Sequence, residues 1–184
     1  MNRRAHELSI SGSAELRSAT FSPVWQLFDA QGNRLCELRR HPRMHITTVR
    51  FADGAAWVLR PDGWGIVRAV DTHDRELGRI TRRSWWGRRW DISSPQWAYA
   101  LVSDPFPRRW HLVIGGVPIA AITGSALSYN RVHIEAPLSV PATAILLAWH
   151  VIARPWEAAA APRGLVPAPV AEGRTTLRPA EGAT

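Results

Sequence analysis

Pro141-Ala-Thr-Ala-Ile-Leu-Leu-Ala-Trp-His-Val-Ile-Ala-Arg-Pro155 is the stretch whose reading decides the fold. Ala142 to Ala153 is almost wholly apolar, follows Ser139 and Pro141, and stops at Arg154-Pro155, so it carries a helix start and a helix stop. Ile145, Leu146, Leu147, Trp149, Val151 and Ile152 fall on every side of a wheel of about 3.6 residues per turn, and no polar face remains. Such a helix has to be surrounded. A bilayer would require about 20 apolar residues in a row, whereas a run of about 12 fits a buried core helix. The spacing predicts one long helix over about residues 141–154, enclosed by the rest of the chain.

The preceding sequence is short, alternating and punctuated by turns. Val24–Phe28 and Arg34–Arg40 read as strands about a tight turn at Asp29-Ala-Gln-Gly32, and Met44–Phe51 and Ala55–Arg60 flank Asp53-Gly54, a strong hairpin signal. Further strands are expected at Trp64–Val70, Glu76–Arg83, Arg89–Ser93, Trp97–Ser103, Arg109–Ile114, Val117–Thr123 and Leu127–Ala136. In Arg131–Ala136, Val132, Ile134 and Ala136 share one face and Arg131, His133 and Glu135 the other, the mark of a half-buried strand.

There is also a weak internal repeat. Asp29-Ala-Gln-Gly-Asn-Arg-Leu35-Cys-Glu-Leu38 matches Asp71-Thr-His-Asp-Arg-Glu-Leu77-Gly-Arg-Ile80 at 42 residues, and a third copy falls on Ile119 and Ile122. That period would suit propeller blades, but propellers have about 4–8 of them and enclose no apolar helix. The expected fold is mainly β: a closed antiparallel barrel enclosing the helix.

The chain has 184 residues, 46% of them hydrophobic, enough for one buried core plus tails. Residues 1–20 lack sustained periodicity and are expected to form a disordered arm; 21–156 form the domain; 157–184, a Pro- and Ala-rich mixture, are expected to be a disordered tail. Net charge is +8, carried wholly by Arg with no Lys, and guanidinium groups among indoles favour anionic partners. The single Cys36 excludes an internal disulfide and a multi-cysteine metal site. The start, Met1-Asn-Arg-Arg-Ala-His-Glu7, has no apolar stretch, so a cytoplasmic location is expected, peripheral to a membrane at most.

An aspartate-to-glycine turn followed by paired hairpins, the arrangement repeated, and then one apolar helix resembles the tubby C-terminal-like superfamily, most of all its LURP-one-related and phospholipid-scramblase branches. The resemblance covers about residues 21–156 and rests on Asp29–Gly32 with Leu35 and Leu38, Val70-Asp71 with Leu77–Ile80, Ser84–Ile92, and Ala144–Trp156. It implies a twelve-stranded barrel around a central helix. It departs from scramblases before the helix, where Arg131–Ser139 lacks their acidic calcium-binding segment, and in having no cysteine cluster for palmitoylation. Tubby-like members bind phosphoinositides through basic residues whose positions have no one-to-one match here.

The most distinctive surface candidate is Arg82-Arg83-Ser84-Trp85-Trp86-Gly87-Arg88-Arg89-Trp90. Arg82, Arg83, Arg88 and Arg89, joined by Arg108 and Arg109 of a second Arg-Arg-Trp run, are candidates to hold an anionic ligand, and Trp85 and Trp86 to enter a membrane interface. The competing reading is a β-hairpin turning at Trp86-Gly87, with its indoles on the barrel and its arginines solvated. No metal or cofactor is expected. His41 and His45 are separated by Pro42, and Asp71, Asp74 and Glu76 lack the glycine and distal glutamate of an EF-hand loop. His150, inside the apolar helix, is expected to be a satisfied core histidine.

No nucleophile elbow, phosphate loop or dinucleotide fingerprint occurs, so no enzyme is expected. The functional expectation is a module that binds anionic phospholipids at the cytoplasmic membrane face; the alternative is a protein-interaction or signalling adaptor without lipid affinity. Single-stranded nucleic acid ranks below both, since no RNP-like motif accompanies the aromatic and basic run.

Overall fold

Among the described residues, alternation along the chain produces twelve strands and the apolar run produces one helix. A computed structural model describes residues 8–19, 22–41, 43–105, 108–125 and 130–160, with side chains through residue 153. The strands are β1 (Ser9–Ser18), β2 (Val24–Asp29), β3 (Arg34–His41), β4 (Ile46–Phe51), β5 (Ala56–Pro61), β6 (Ile66–Asp71), β7 (Glu76–Arg82), β8 (Arg89–Ser93), β9 (Ala98–Ser103), β10 (Arg109–Ile114), β11 (Val117–Gly124) and β12 (Arg131–Pro141), followed by α1 (Ala142–Ala160). Each strand pairs antiparallel with its neighbour in sequence, and β1 pairs with β12, so the sheet closes into a barrel. This is the architecture expected from the sequence.

The helix fits the barrel by length. Twelve residues rise about 18 Å in an α-helix, and a six-residue strand spans about 20 Å. Side chains from Ala142 to Ala153 are all buried, Ala144 to Trp149 completely. Inward strand positions such as Leu16, Leu27, Leu38, Leu59, Ile80, Ile92, Leu101, Leu112, Ile122 and Ile134 close over them. Toward the end of the barrel where β2 begins and β3 ends, Trp149 meets Trp25 edge-on at 5.4 Å between ring centroids, and the Arg40 guanidinium lies 5.6 Å from the Trp149 ring centre. His150 is the satisfied core histidine expected: it is buried, with Nδ1 2.8 Å from the buried Thr47 hydroxyl.

Because β12 runs into α1, the helix enters at the rim carrying the β2–β3, β4–β5, β6–β7, β8–β9 and β10–β11 turns, and leaves toward the opposite rim. We call these the entry and exit rims. Thr143 lies beside Gly78 near the entry rim, and His150 beside Thr47 near the exit rim, which fixes the direction.

The 42-residue repeat is real in three dimensions. Its copies are the hairpins β2–β3, β6–β7 and β10–β11, all turning at the entry rim, so one repeat is four strands of a twelve-stranded barrel. Register shifts recur at matching places, between Leu27 and Phe28, Ala69 and Val70, and Leu112 and Val113. Such bulges increase local twist and curvature, which a closing sheet needs.

Three expectations need correction. Residues 1–20 are not an arm throughout: Ser9–Ser18 is β1, which closes the barrel between β12 and β2. Its polar composition hides an alternation in which Leu8, Ile10, Gly12, Ala14 and Leu16 occupy one parity; Gly12, at φ +78°, sits at the irregularity in the β1–β12 register. Second, α1 does not stop at Arg154-Pro155 but runs to Ala160. One proline removes a single N–H, and the Glu157–Ala160 run beyond it consists of strong helix formers. Third, β12 extends to Pro141, five residues past Ala136. The remainder of the expected tail, residues 161–184, and the start of the arm, residues 1–7, lie outside the described residues.

Candidate interface at the exit rim

The β7–β8 loop is built before it displays anything. The Ser84 hydroxyl accepts from the backbone N–H groups of Arg88 at 2.8 Å and Arg89 at 2.9 Å, and the Gly87 N–H donates to the Ser84 carbonyl at 2.9 Å. Gly87 has φ +67°, a conformation glycine adopts without strain. Beneath the loop, the Arg82 guanidinium donates to the Ser84 carbonyl at 2.9 Å and to the Trp85 carbonyl, while lying over the rings of Trp64 at 5.3 Å and Trp90 at 5.9 Å. Trp90 in turn packs against the core and donates its indole N–H to the Gly87 carbonyl at 2.9 Å. With carbonyls, a guanidinium and an indole holding the loop from inside, Trp85 and Trp86 project outward, 75% and 83% exposed.

A third indole joins them from the neighbouring loop. Trp64, 71% exposed, lies with its ring centroid 5.9 Å from that of Trp85. The two loops are tied by the Arg82 N–H to the Gly65 carbonyl at 2.8 Å, an approach so close that a Cβ on Gly65 would stand 2.9 Å from that of Arg82. The sequence pattern suggests a strand from Trp64; β6 in fact begins at Ile66, and Trp64 sits in the turn. The signal was present in Asp62-Gly63-Trp64-Gly65, where flanking glycines leave the indole no strand neighbour to pack on. Met44, also exposed, lies in the β3–β4 connection on the same rim.

The six candidate arginines divide by what their guanidiniums do. Arg82 is spent inside the loop. Arg83 pairs with Asp91, and Arg108 donates to the Ser125 carbonyl, tying the β9–β10 and β11–β12 connections together. Arg88 reaches the Asp104 carbonyl at 3.3 Å and remains exposed, as do Arg89 and Arg109. Among the described residues no carboxylate lies within ion-pair distance of Arg88, Arg89 or Arg109. The rim thus combines exposed indoles with open guanidiniums on loops held in place by backbone hydrogen bonds.

Other chemistry is thin. Asp71 caps the β6–β7 turn through the His73 and Arg75 N–H groups, Asp74 pairs with Arg60 at 2.6 Å, and Glu76 pairs with Arg79 at 2.7 Å. These carboxylates serve the turn. Among the described residues no group of three or more His, Cys, Asp or Glu is placed to hold a metal, and no helix is long and apolar enough to cross a membrane. Cys36 is buried, and burial pushes its thiol up to about 12.

No family model matches the chain, and no curated protein matches it. Among solved structures, it is similar to an X-ray structure of the Arabidopsis thaliana protein AT5G01750, with a TM-score of 0.53 and 11% identity over 83% of this chain and 96% of that one. At that identity the likeness shows the fold alone.

Proposed function

We propose that this protein is a non-enzymatic, LURP-one-related member of the tubby C-terminal-like superfamily that binds anionic phospholipid headgroups at the cytoplasmic membrane face through its exit rim. The observation that carries this reading is the exposure of Trp64, Trp85 and Trp86 beside the open guanidiniums of Arg88 and Arg89. Indoles prefer the headgroup layer, where the ring is apolar and the N–H stays wet. Each guanidinium near an anionic leaflet contributes about 1 kcal/mol, a part that fades as salt shortens the screening length. The adaptor reading draws on the internal engagement of Arg82, Arg83 and Arg108, which narrows the open charge to a smaller set.

Vesicle co-sedimentation over lipid charge and salt separates the two. Binding should be selective for phosphatidylserine, cardiolipin or phosphoinositide vesicles over neutral ones and should weaken with salt. A folded protein that binds none of them at low salt leaves the adaptor as the account.

A further inference from the structure

The outer face of β8, β9 and β10 carries a trough that the exit-rim reading does not use. Its cause is a run of small side chains on one strand. Ala98, Ala100 and Val102 occupy the outward positions of β9, alternating with Tyr99, Leu101 and Ser103. The flanking strands set longer side chains opposite them: Arg89 and Asp91 of β8 pair with Val102 and Ala100, and His111 of β10 also pairs with Val102. The walls stand two strand spacings apart, about 10 Å. The hollow has a volume of about 850 Å³, open to solvent along its length.

The charged groups of the trough lie toward one end. Near the exit rim lie Arg89, Asp91, Asp104 and His111, where Asp91 is bound by Arg83 and Asp104 faces His111 Nε2 at 3.3 Å. Arg89 is therefore the charge left open at this mouth. Toward the entry rim the lining is uncharged and mainly apolar, Ala98, Ala100, Val113, Ile114 and Pro118 with Ser93 and the Gly115-Gly116 turn, and Ile114 is 48% exposed. A closed barrel offers no free strand edge, and β9 is paired on both sides, so a peptide would find no backbone ladder to extend. A one-strand-wide, mainly apolar channel with the open Arg89 guanidinium in its lining at one mouth suits one alkyl chain with an anionic head.

We propose that this trough binds a single-chain anionic amphiphile, a fatty acid or an alkyl or lysophospholipid phosphate, with its head at Arg89 and its chain laid over Ala100 and Val113 toward Ile114. The site shares Arg89 with the exit rim but uses neither Trp85 nor Trp86. Amphiphile binding and vesicle binding are thus separable.

Isothermal titration of the full chain with dodecyl phosphate, below its micelle concentration, tests the assignment, with dodecanoate and inorganic phosphate as parallel arms. The expected result is saturable one-to-one binding of both amphiphiles, with affinity rising about two- to fourfold per methylene from octyl to dodecyl phosphate, and no detectable heat from inorganic phosphate. Dodecyl phosphate alone binding would assign a phosphate head, and dodecanoate alone a carboxylate. Ala100→Trp fills the floor from outside the core and should weaken binding at least tenfold while keeping the thermal midpoint; Val113→Asp, charging the channel, should do the same. Trp85→Ala with Trp86→Ala should leave dodecyl phosphate binding unchanged even where vesicle binding falls. Absence of saturable binding, insensitivity to both Ala100→Trp and Val113→Asp, or loss in the Trp85 and Trp86 variant each overturns the trough, the last by moving the amphiphile to the rim.

Discussion

The two rims of the barrel are made by different chemistry. At three of the five entry-rim turns an aspartate closes the turn from within: Asp29 accepts from the N–H groups of Gln31 and Asn33, Asp53 from Ala55, and Asp71 from His73 and Arg75. These turns consume their polar groups locally and display little. At the exit rim the β7–β8 loop is held by Ser84 and by a guanidinium from below, and the groups left over are indoles and arginines facing solvent. Four of the exposed large hydrophobics, Met44, Trp64, Trp85 and Trp86, fall on that side. Turn chemistry that satisfies itself closes a barrel, whereas a loop buttressed from inside presents a surface.

The largest expected effect precedes any difference between rims, because both depend on the enclosed helix. Leu147 is fully buried, and a carboxylate there has no partner, a cost of several kcal/mol that exceeds what a marginally stable domain can absorb. Leu147→Asp should abolish the cooperative thermal transition seen by circular dichroism. A folded, merely less membrane-associated variant would contradict enclosure.

Next come changes that should distinguish the rims. Arg88→Gln with Arg89→Gln should lower affinity for anionic vesicles by about thirtyfold at low salt, at about 1 kcal/mol per charge, and flatten the salt dependence. Trp85→Ala with Trp86→Ala should weaken the same binding by about tenfold while leaving the salt slope intact, since interfacial burial is not screened. Both pairs should keep the parent thermal midpoint. Co-sedimentation across a salt series reads both effects, and identical slopes in the two variants would merge the terms that the rim is argued to separate.

Asp71→Ala at the entry rim should do the reverse, costing about 1 kcal/mol of stability by leaving turn N–H groups uncapped, with vesicle binding unchanged. The same chemistry sets an acid limit. The Asn33 side chain, with the backbone N–H groups of the turn, holds the Asp29 carboxyl below its usual value of 3.8 against the opposing effect of burial. Burial pushes Asp71 up, but the Arg75 and His73 N–H groups and the Arg75 guanidinium outweigh it and hold this carboxyl low as well. A depressed folded value means the stabilisation is fully present above the unfolded value, about pH 4, and is lost as pH falls through the lower folded one. Thermal midpoints should hold from pH 7 to about 5 and decline below about 4, and Asp29→Asn with Asp71→Asn should shrink that decline.

Legibility followed the same division. The helix and the strands from Val24 onward were readable because apolar periodicity and Asp-Gly turns are local signals. β1 is not, because the exposed Gly12 interrupts its inward alternation, Ala14 is too small to stand out, and its place is set by distant β12. The extension of α1 beyond Pro155 is not legible because Arg154-Pro155 is a stronger local stop signal than the helix formers after it are a continuation signal. At the rim, the Arg and Trp composition was visible, but the work of each side chain was not: Arg82 and Trp90 support, Trp85 and Trp86 display, and Trp64 arrives from another hairpin. The trough was invisible in one dimension, since it depends on which small residues of β9 lie between β8 and β10.

The most direct test of the claim that the exit rim meets the membrane is site-specific labelling. Cys36 is buried, with its thiol raised to about 12, so it stays unreactive at neutral pH while an added surface cysteine takes the label. An environment-sensitive fluorophore on Met44→Cys at the exit rim should shift to the blue with phosphatidylserine vesicles, and the same fluorophore on Thr72→Cys at the entry rim should not. A shift at Thr72→Cys alone, an equal shift at both, or none at either would contradict the assignment.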